Sequence, residues 1–184
     1  IAMFTAAAIG LEYTQVGHVA AQLQTKPRVP VIWLHFQDCT GCTEAITRSY
    51  NPGLTNLILN DVSLNYHETL MAAAGHQAEA AKSQVMAENQ GGYVLVVEGS
   101  IPTGFGMTSI GGRAAEDILQ EAAEGAMAIV SVGNCAAFGG IPKAKPNPTG
   151  AVGVWEIIKD KPIINIPGCP PIPEVMTNTI AHIL

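Results

Sequence analysis

Four cysteines carry the chemistry that this sequence can do. Two stand in Asp38-Cys39-Thr40-Gly41-Cys42-Thr43-Glu44, a C-x-x-C directly after the apolar run Val31-Ile32-Trp33-Leu34-His35-Phe36. The other two, Cys135 and Cys169, are isolated, and each also lies just past an apolar run. A C-x-x-C lets two thiolates reach one metal centre, because a tight turn brings both side chains to one side. Gly41, Gly133 and Gly168 allow the close approach and unusual φ values that let backbone N–H groups face sulfur.

Several chemistries compete for these residues. An iron–sulfur cluster takes four thiolates and accepts scattered ones, and Cys169-Pro170 resembles the Cys-Pro of bacterial ferredoxins. Structural zinc sites more often use two paired knuckles. Zinc would explain all four cysteines but not their glycine-rich setting. A thioredoxin-like thiol pair would use Cys39 and Cys42 and leave the others idle. An even cysteine count permits disulfides, but a Cys39–Cys42 bridge closes a very short loop and gains little. From the residues alone, iron–sulfur ligation leads, with zinc and redox thiols still open.

Other candidates are weaker. Gly99-Ser100-Ile101-Pro102 and the glycines after it could cradle a flavin phosphate, although no glycine-rich loop follows the first strand. His67, in Tyr66-His67-Glu68, reads as a hydrogen-bonded side chain beside a helix-initial Glu. His35 reads as a satisfied core or interface residue. His18, His76 and His182 lack ligand spacing. Neither a Ser/His/Asp set nor paired carboxylates are visible.

The elements that must position the cysteines alternate along the chain. Strands are expected at 31–36, 56–64, 93–97, 127–132 and 162–166. Helices are expected at 44–50, 68–88, 113–124 and 154–159, with a last one from Pro173, a residue favoured early in helices. Tyr93-Val94-Leu95-Val96-Val97 is apolar at every position, the mark of a strand covered on both faces. This order predicts an α/β doubly wound parallel sheet of about five strands with helices on both faces. Such sheets bind ligands at the carboxyl ends of their strands, where all four cysteines fall.

The chain has 184 residues, of which 13% are charged, against about 25% in a typical domain. So poorly charged a surface predicts apolar patches and a permanent protein partner. A net charge of −6 and the lack of a Lys/Arg cluster disfavour nucleic acid. Residues 1–11 are nearly all apolar, too short for a bilayer span of about 20 residues. They fit the core of an export signal or an ordinary buried helix. A start without Met and an end lacking a helix stop signal suggest a piece of a longer product.

Six ordered motifs carry a resemblance. They are Asp38–Glu44, Leu64-Asn65-Tyr66-His67-Glu68, Val97-Glu98-Gly99-Ser100-Ile101-Pro102, Gly133-Asn134-Cys135-Ala136-Ala137-Phe138-Gly139-Gly140, Lys145-Pro146-Asn147-Pro148-Thr149-Gly150 and Gly168-Cys169-Pro170-Pro171. From about Arg28 onward the chain resembles the small subunit of nickel–iron hydrogenases. The resemblance implies a flavodoxin-like domain, residues 26–184, whose Cys39, Cys42, Cys135 and Cys169 bind a proximal 4Fe–4S cluster. It implies an obligate large-subunit partner holding the nickel–iron centre, in a heterodimer or a higher oligomer built from it. A redox protein or membrane cytochrome would be the acceptor. The expected role is electron transfer in H2 oxidation or evolution, as a subunit of a hydrogenase with no activity of its own. Medial and distal cluster ligands, and the C-terminal domain that would hold them, are not encoded up to Leu184. Residues 1–25 resemble the tail of a twin-arginine signal without its arginines. A periplasmic or membrane-associated location is implied, or a cytoplasmic one if that stretch is not a signal. Gly41 and Gly140 stand where oxygen-tolerant members carry extra cysteines, so a plain four-cysteine site is expected.

Overall fold

The computed structural model describes residues 28–104, 106 and 109–183; the expected N-terminal extension lies outside them. Its main elements are β1 (Val29–His35), α1 (Gly41–Ile46), β2 (Val62–His67), α2 (Gly75–Glu88), β3 (Tyr93–Glu98), α3 (Ala115–Glu124), β4 (Ala126–Val132), α4 (Gly133–Phe138), β5 (Ile163–Ile166) and α5 (Pro173–Ile183). The five strands form one parallel sheet in the order β2-β1-β3-β4-β5. This is the flavodoxin-like order, with its switch point between β1 and β3.

Alternation along the strands builds two cores. Ile32, Leu34, Leu95, Val97 and Ile129 face α2 and α3, packing with Val85, Ile118 and Leu119. Val31, Trp33, Val94, Val96 and Val130 face the other way, with Ile46, Met176 and Ile180. Burial on both sides explains why β3 is apolar from Tyr93 to Val97. Ile118 and Leu119 of α3 point inward as their helical spacing predicts.

Register matters most for the site. His35 pairs with Glu98, Glu98 with Val132, and Val132 with Ile166. One row of residues therefore crosses four strands at their carboxyl ends. Cys39, Cys135 and Cys169 each follow that row within four residues.

Some boundaries differ from expectation. Asn56–Leu64 is not one strand: Leu57–Asp61 is a π-helical turn, and β2 begins at Val62. A short apolar triplet fits strand or helix equally. Here the turn buries Leu57 against the α1 side of the sheet. The Arg28 guanidinium donates to the carbonyl of Ile58 at 2.8 Å, satisfying part of the irregular backbone. The helix expected over 68–88 begins only at Gly75, because the Leu70 and Met71 amides turn back onto the His67 carbonyl. The first helix starts earlier than expected, at Gly41, and so includes Cys42.

Under α2, Lys82 is 2% exposed. It pairs with Glu79 and lies 4.9 Å from the centre of the Tyr66 ring, whose hydroxyl also donates to Glu79. Burial raises the Glu79 pKa, but the hydrogen bonds from Lys82 and Tyr66 outweigh it and bring it below 4.5. A carboxyl depressed in the folded state stabilises above its unfolded pKa. That stability is lost as pH falls through the folded value. Lys82→Met is expected to reduce this loss below about pH 4.5, in urea unfolding followed across the acid range. An unchanged acid slope would show that the pair does not couple to folding.

Candidate functional site

The four thiols converge. Cys39, Cys42, Cys135 and Cys169 line a single cavity of about 90 Å³, with Asp38, Glu98, Asn134 and Pro170 among its other walls. That space is several times what one water needs, which suits a polynuclear group better than a lone ion. None of the four is disulfide-bonded.

Each cysteine is held by a different local device. Cys39 sits in a turn closed by Asp38, whose Oδ1 accepts the Thr40 amide at 3.1 Å. That bond supports Thr40 at a φ of 60°, a left-handed conformation unusual for a β-branched residue. Cys42 lies in the first turn of α1. Cys135 lies in the first turn of α4. The turn of Cys169 is clasped to α4 twice: the Asn134 amide donates to the Gly168 carbonyl at 2.8 Å, and the Gly168 amide donates to Asn134 Oδ1 at 2.9 Å. The segments of Cys135 and Cys169 are thus locked to each other through one asparagine.

Small residues make room for sulfur. Gly133 has φ +83°, and a Cβ there would stand 2.5 Å from Cys42 Sγ. Gly140 has φ +53°, and its Cβ would stand 2.7 Å from Cys135 Sγ. At Gly41 the clash is milder, 3.0 Å from Cys39 Sγ.

Electrostatics favour a cationic occupant. Burial pushes the Cys42 thiol pKa well up, and Glu98 and the other three thiols push it further. Burial also raises Cys135; the Ile141 backbone amide donates to it and partly offsets this, while Cys169 and Cys39 add to the rise. The Cys42 and Cys135 thiols, whose ionisation their surroundings oppose, become thiolates when positive charge sits among them. The donor set, the cavity and the glycine clearances therefore fit a thiolate-bound metal centre.

A carboxylate lies beneath the cysteines. Glu98 ends the all-apolar β3 and is 1% exposed. Its Oε1 accepts the Cys42 amide at 3.0 Å, and its Oε2 accepts the Thr43 amide at 3.1 Å, the Thr43 hydroxyl at 2.6 Å and the Trp33 indole N–H at 3.2 Å. The available signal was a carboxylate directly after five buried residues. His35 is buried as expected, with Nδ1 2.7 Å from Asp38 and 3.9 Å from Glu98. Burial lowers the His35 pKa, but Asp38 and Glu98 raise it net above 6.5. His67, edge-on to His35, is lowered to about 4 by burial and by that neighbour. His35, Asp38 and Glu98 lie close enough to grip an ion, yet both Glu98 oxygens are already taken by donors.

The flavin cradle does not form at Gly99. A Cβ there would meet the Gln37 backbone at 2.9 Å, and Gln37 and Ser100 exchange amide–carbonyl bonds. That glycine serves a close backbone crossing.

A family described as "NADH ubiquinone oxidoreductase, 20 Kd subunit" matches residues 39–183. The chain is 48% identical over 182 residues to the uptake hydrogenase small subunit of Cupriavidus necator, covering 98% of the chain and 51% of that protein. It is 45% identical over 182 residues to the hydrogenase-2 small chain of Escherichia coli, covering 97% and 49%. The chain thus spans about half the length of the curated relatives it matches. Among solved structures, the NiFeSe hydrogenase of Desulfovibrio vulgaris Hildenborough aligns at a TM-score of 0.80 and 36% identity, over 85% of this chain and 59% of that one. The NiFeSe hydrogenase of Desulfomicrobium baculatum aligns at 0.78 and 32%, over 84% and 61%.

Gly133→Ala tests the clearance at Cys42. It is expected to weaken metal uptake by the four-thiol cavity about ten- to a hundredfold, measured by competition with a chelator. Gly91→Ala is the control, since φ there is +73° with nothing within 4 Å. Equal losses in both variants would place the effect in backbone strain, not in the cavity.

Proposed function

Because the chain belongs to the family described as NADH ubiquinone oxidoreductase, 20 Kd subunit, we propose that it is the electron-transfer part of a nickel–iron hydrogenase small subunit. Its Cys39, Cys42, Cys135 and Cys169 hold one 4Fe–4S cluster. The observation that carries this is the convergence of all four cysteines of the chain on one cavity.

When bound, the cluster takes up and releases single electrons. The residues around it do the rest. Four thiolates place net negative charge in a pocket that burial makes costly. Backbone amides such as that of Ile141 offset part of it. The Gly168–Asn134 clasp and the glycine clearances hold the ligands rigidly, so little rearrangement accompanies a change of charge.

Substrate chemistry, H2 to protons and electrons, belongs to a large subunit carrying the nickel–iron centre. Support for a permanent partner lies near the cysteines. Phe138 and Ile141 follow Cys135, Ile172 follows Cys169, and all three are exposed, Ile141 to 77%. Exposed apolar residues so close to a redox centre suit a protein interface. Further clusters and a redox acceptor protein or membrane cytochrome complete the path outward. We assign the cluster-binding flavodoxin-like unit to residues 26–184. A periplasmic or membrane-associated location is the one proposed, with a cytoplasmic one if residues 1–25 are not an export signal. No helix among the described residues is long and apolar enough to cross a membrane.

Anaerobic purification with iron, zinc and acid-labile sulfide analysis tests the reading. Iron and sulfide in equal amounts, about four of each per cluster, are expected, and Cys135→Ser is expected to lose or degrade that content. Zinc without sulfide would overturn the assignment, and released flavin would point to a different redox module.

A further inference from the structure

Helix α1 carries Cys42 but lacks its own cap. Thr40 occupies the capping position in a left-handed conformation and makes no side-chain bond to the helix. Helices usually satisfy their first amides with such a side chain. In α1 the amides of Cys42 and Thr43 reach instead to Glu98, 55 residues from Thr43 in sequence. The acceptor therefore comes from the end of β3, across the β1/β3 switch point.

Resting on the cluster assignment above, we propose that Glu98 is a positioning residue for Cys42. Both oxygens of its carboxylate accept from N–H and O–H donors, so it fixes the Cys42 amide and places negative charge one hydrogen bond from that residue. Two consequences follow. The sulfur of Cys42, already bounded by Gly133, gains a second constraint through its own backbone. Glu98 also disfavours an added electron on whatever the thiolates hold, and so lowers the reduction potential.

The donors on the far side of the carboxylate tune this. Trp33, on β1, gives its indole N–H to Oε2, and the Thr43 hydroxyl gives the shortest bond to the same oxygen. Each draws negative charge away from the cysteine side. Trp33 lies in the core that packs α1, against which Cys42 also rests, and its indole N–H meets the site at Glu98. Removing the charge and removing the donor should move the potential in opposite directions. A purely structural role predicts no such opposition.

The test uses the complete protein with its partner, purified anaerobically. Iron and acid-labile sulfide are measured first, then the potential by redox titration followed by electron paramagnetic resonance. Glu98→Gln is expected to raise the potential, and Trp33→Phe to lower it, with iron and sulfide retained. Shifts in the same direction, or no shift in Glu98→Gln, overturn the proposal. Where Glu98→Gln sheds its cluster, Trp33→Phe decides: a lowered potential supports the role and an unchanged one overturns it. Wild-type protein without iron and sulfide would instead sink the cluster assignment.

Discussion

Parallel pairing at the carboxyl ends of β1, β3, β4 and β5 is the constraint on which the site depends. The row His35, Glu98, Val132 and Ile166 is set by backbone hydrogen bonds and by two apolar faces that would be inverted by a one-residue slip. With the row in place, the segments after three of those strands have little choice of where to put their first residues. Cys39, Cys135 and Cys169 arrive at one edge of the sheet, and Cys42 follows one helical turn later. The two cores hold the row level, and Cys42 itself packs against one of them.

Above that row, the site is built from exceptions to ordinary backbone preferences. Thr40 is left-handed, Gly133 and Gly140 occupy φ values that suit glycine, and α1 takes its capping acceptor from another strand. Each exception serves the cavity. The left-handed turn aims Cys39, and the glycines leave space at Cys42 and Cys135. The borrowed cap ties Cys42 to the sheet. Strained or unconventional backbone of this kind persists where the surrounding structure over-determines it. Here the supports are the Asp38 turn, the Asn134 clasp and the buried Glu98.

Much of this was legible in the residues. An all-apolar Tyr93–Val97 and the alternation of strand and helix signals predict the doubly wound sheet. The position of the cysteines after apolar runs predicts their meeting at its carboxyl edge. The failures have physical causes. Leu57-Ile58-Leu59 reads as a strand because three apolar residues carry no period, and the π turn depends on Arg28 reaching its carbonyls. The Ala-rich composition after Glu68 extends the expected helix past the turn that Met71 makes on His67. Glu98 was not legible as a site residue. Its role exists only through register, which brings it beside Cys42 from more than fifty positions away. The reading of Gly99 as a phosphate cradle failed similarly, since the space above it belongs to the Gln37 backbone.

Mössbauer spectroscopy of the protein enriched in iron-57 bears most directly on the four-thiolate cluster. A single set of quadrupole doublets from tetrahedral, sulfur-coordinated iron with delocalised valence is the predicted result. It should require all four of Cys39, Cys42, Cys135 and Cys169. Isolated mononuclear iron, or a spectrum unchanged when Cys169 is replaced by serine, would contradict it.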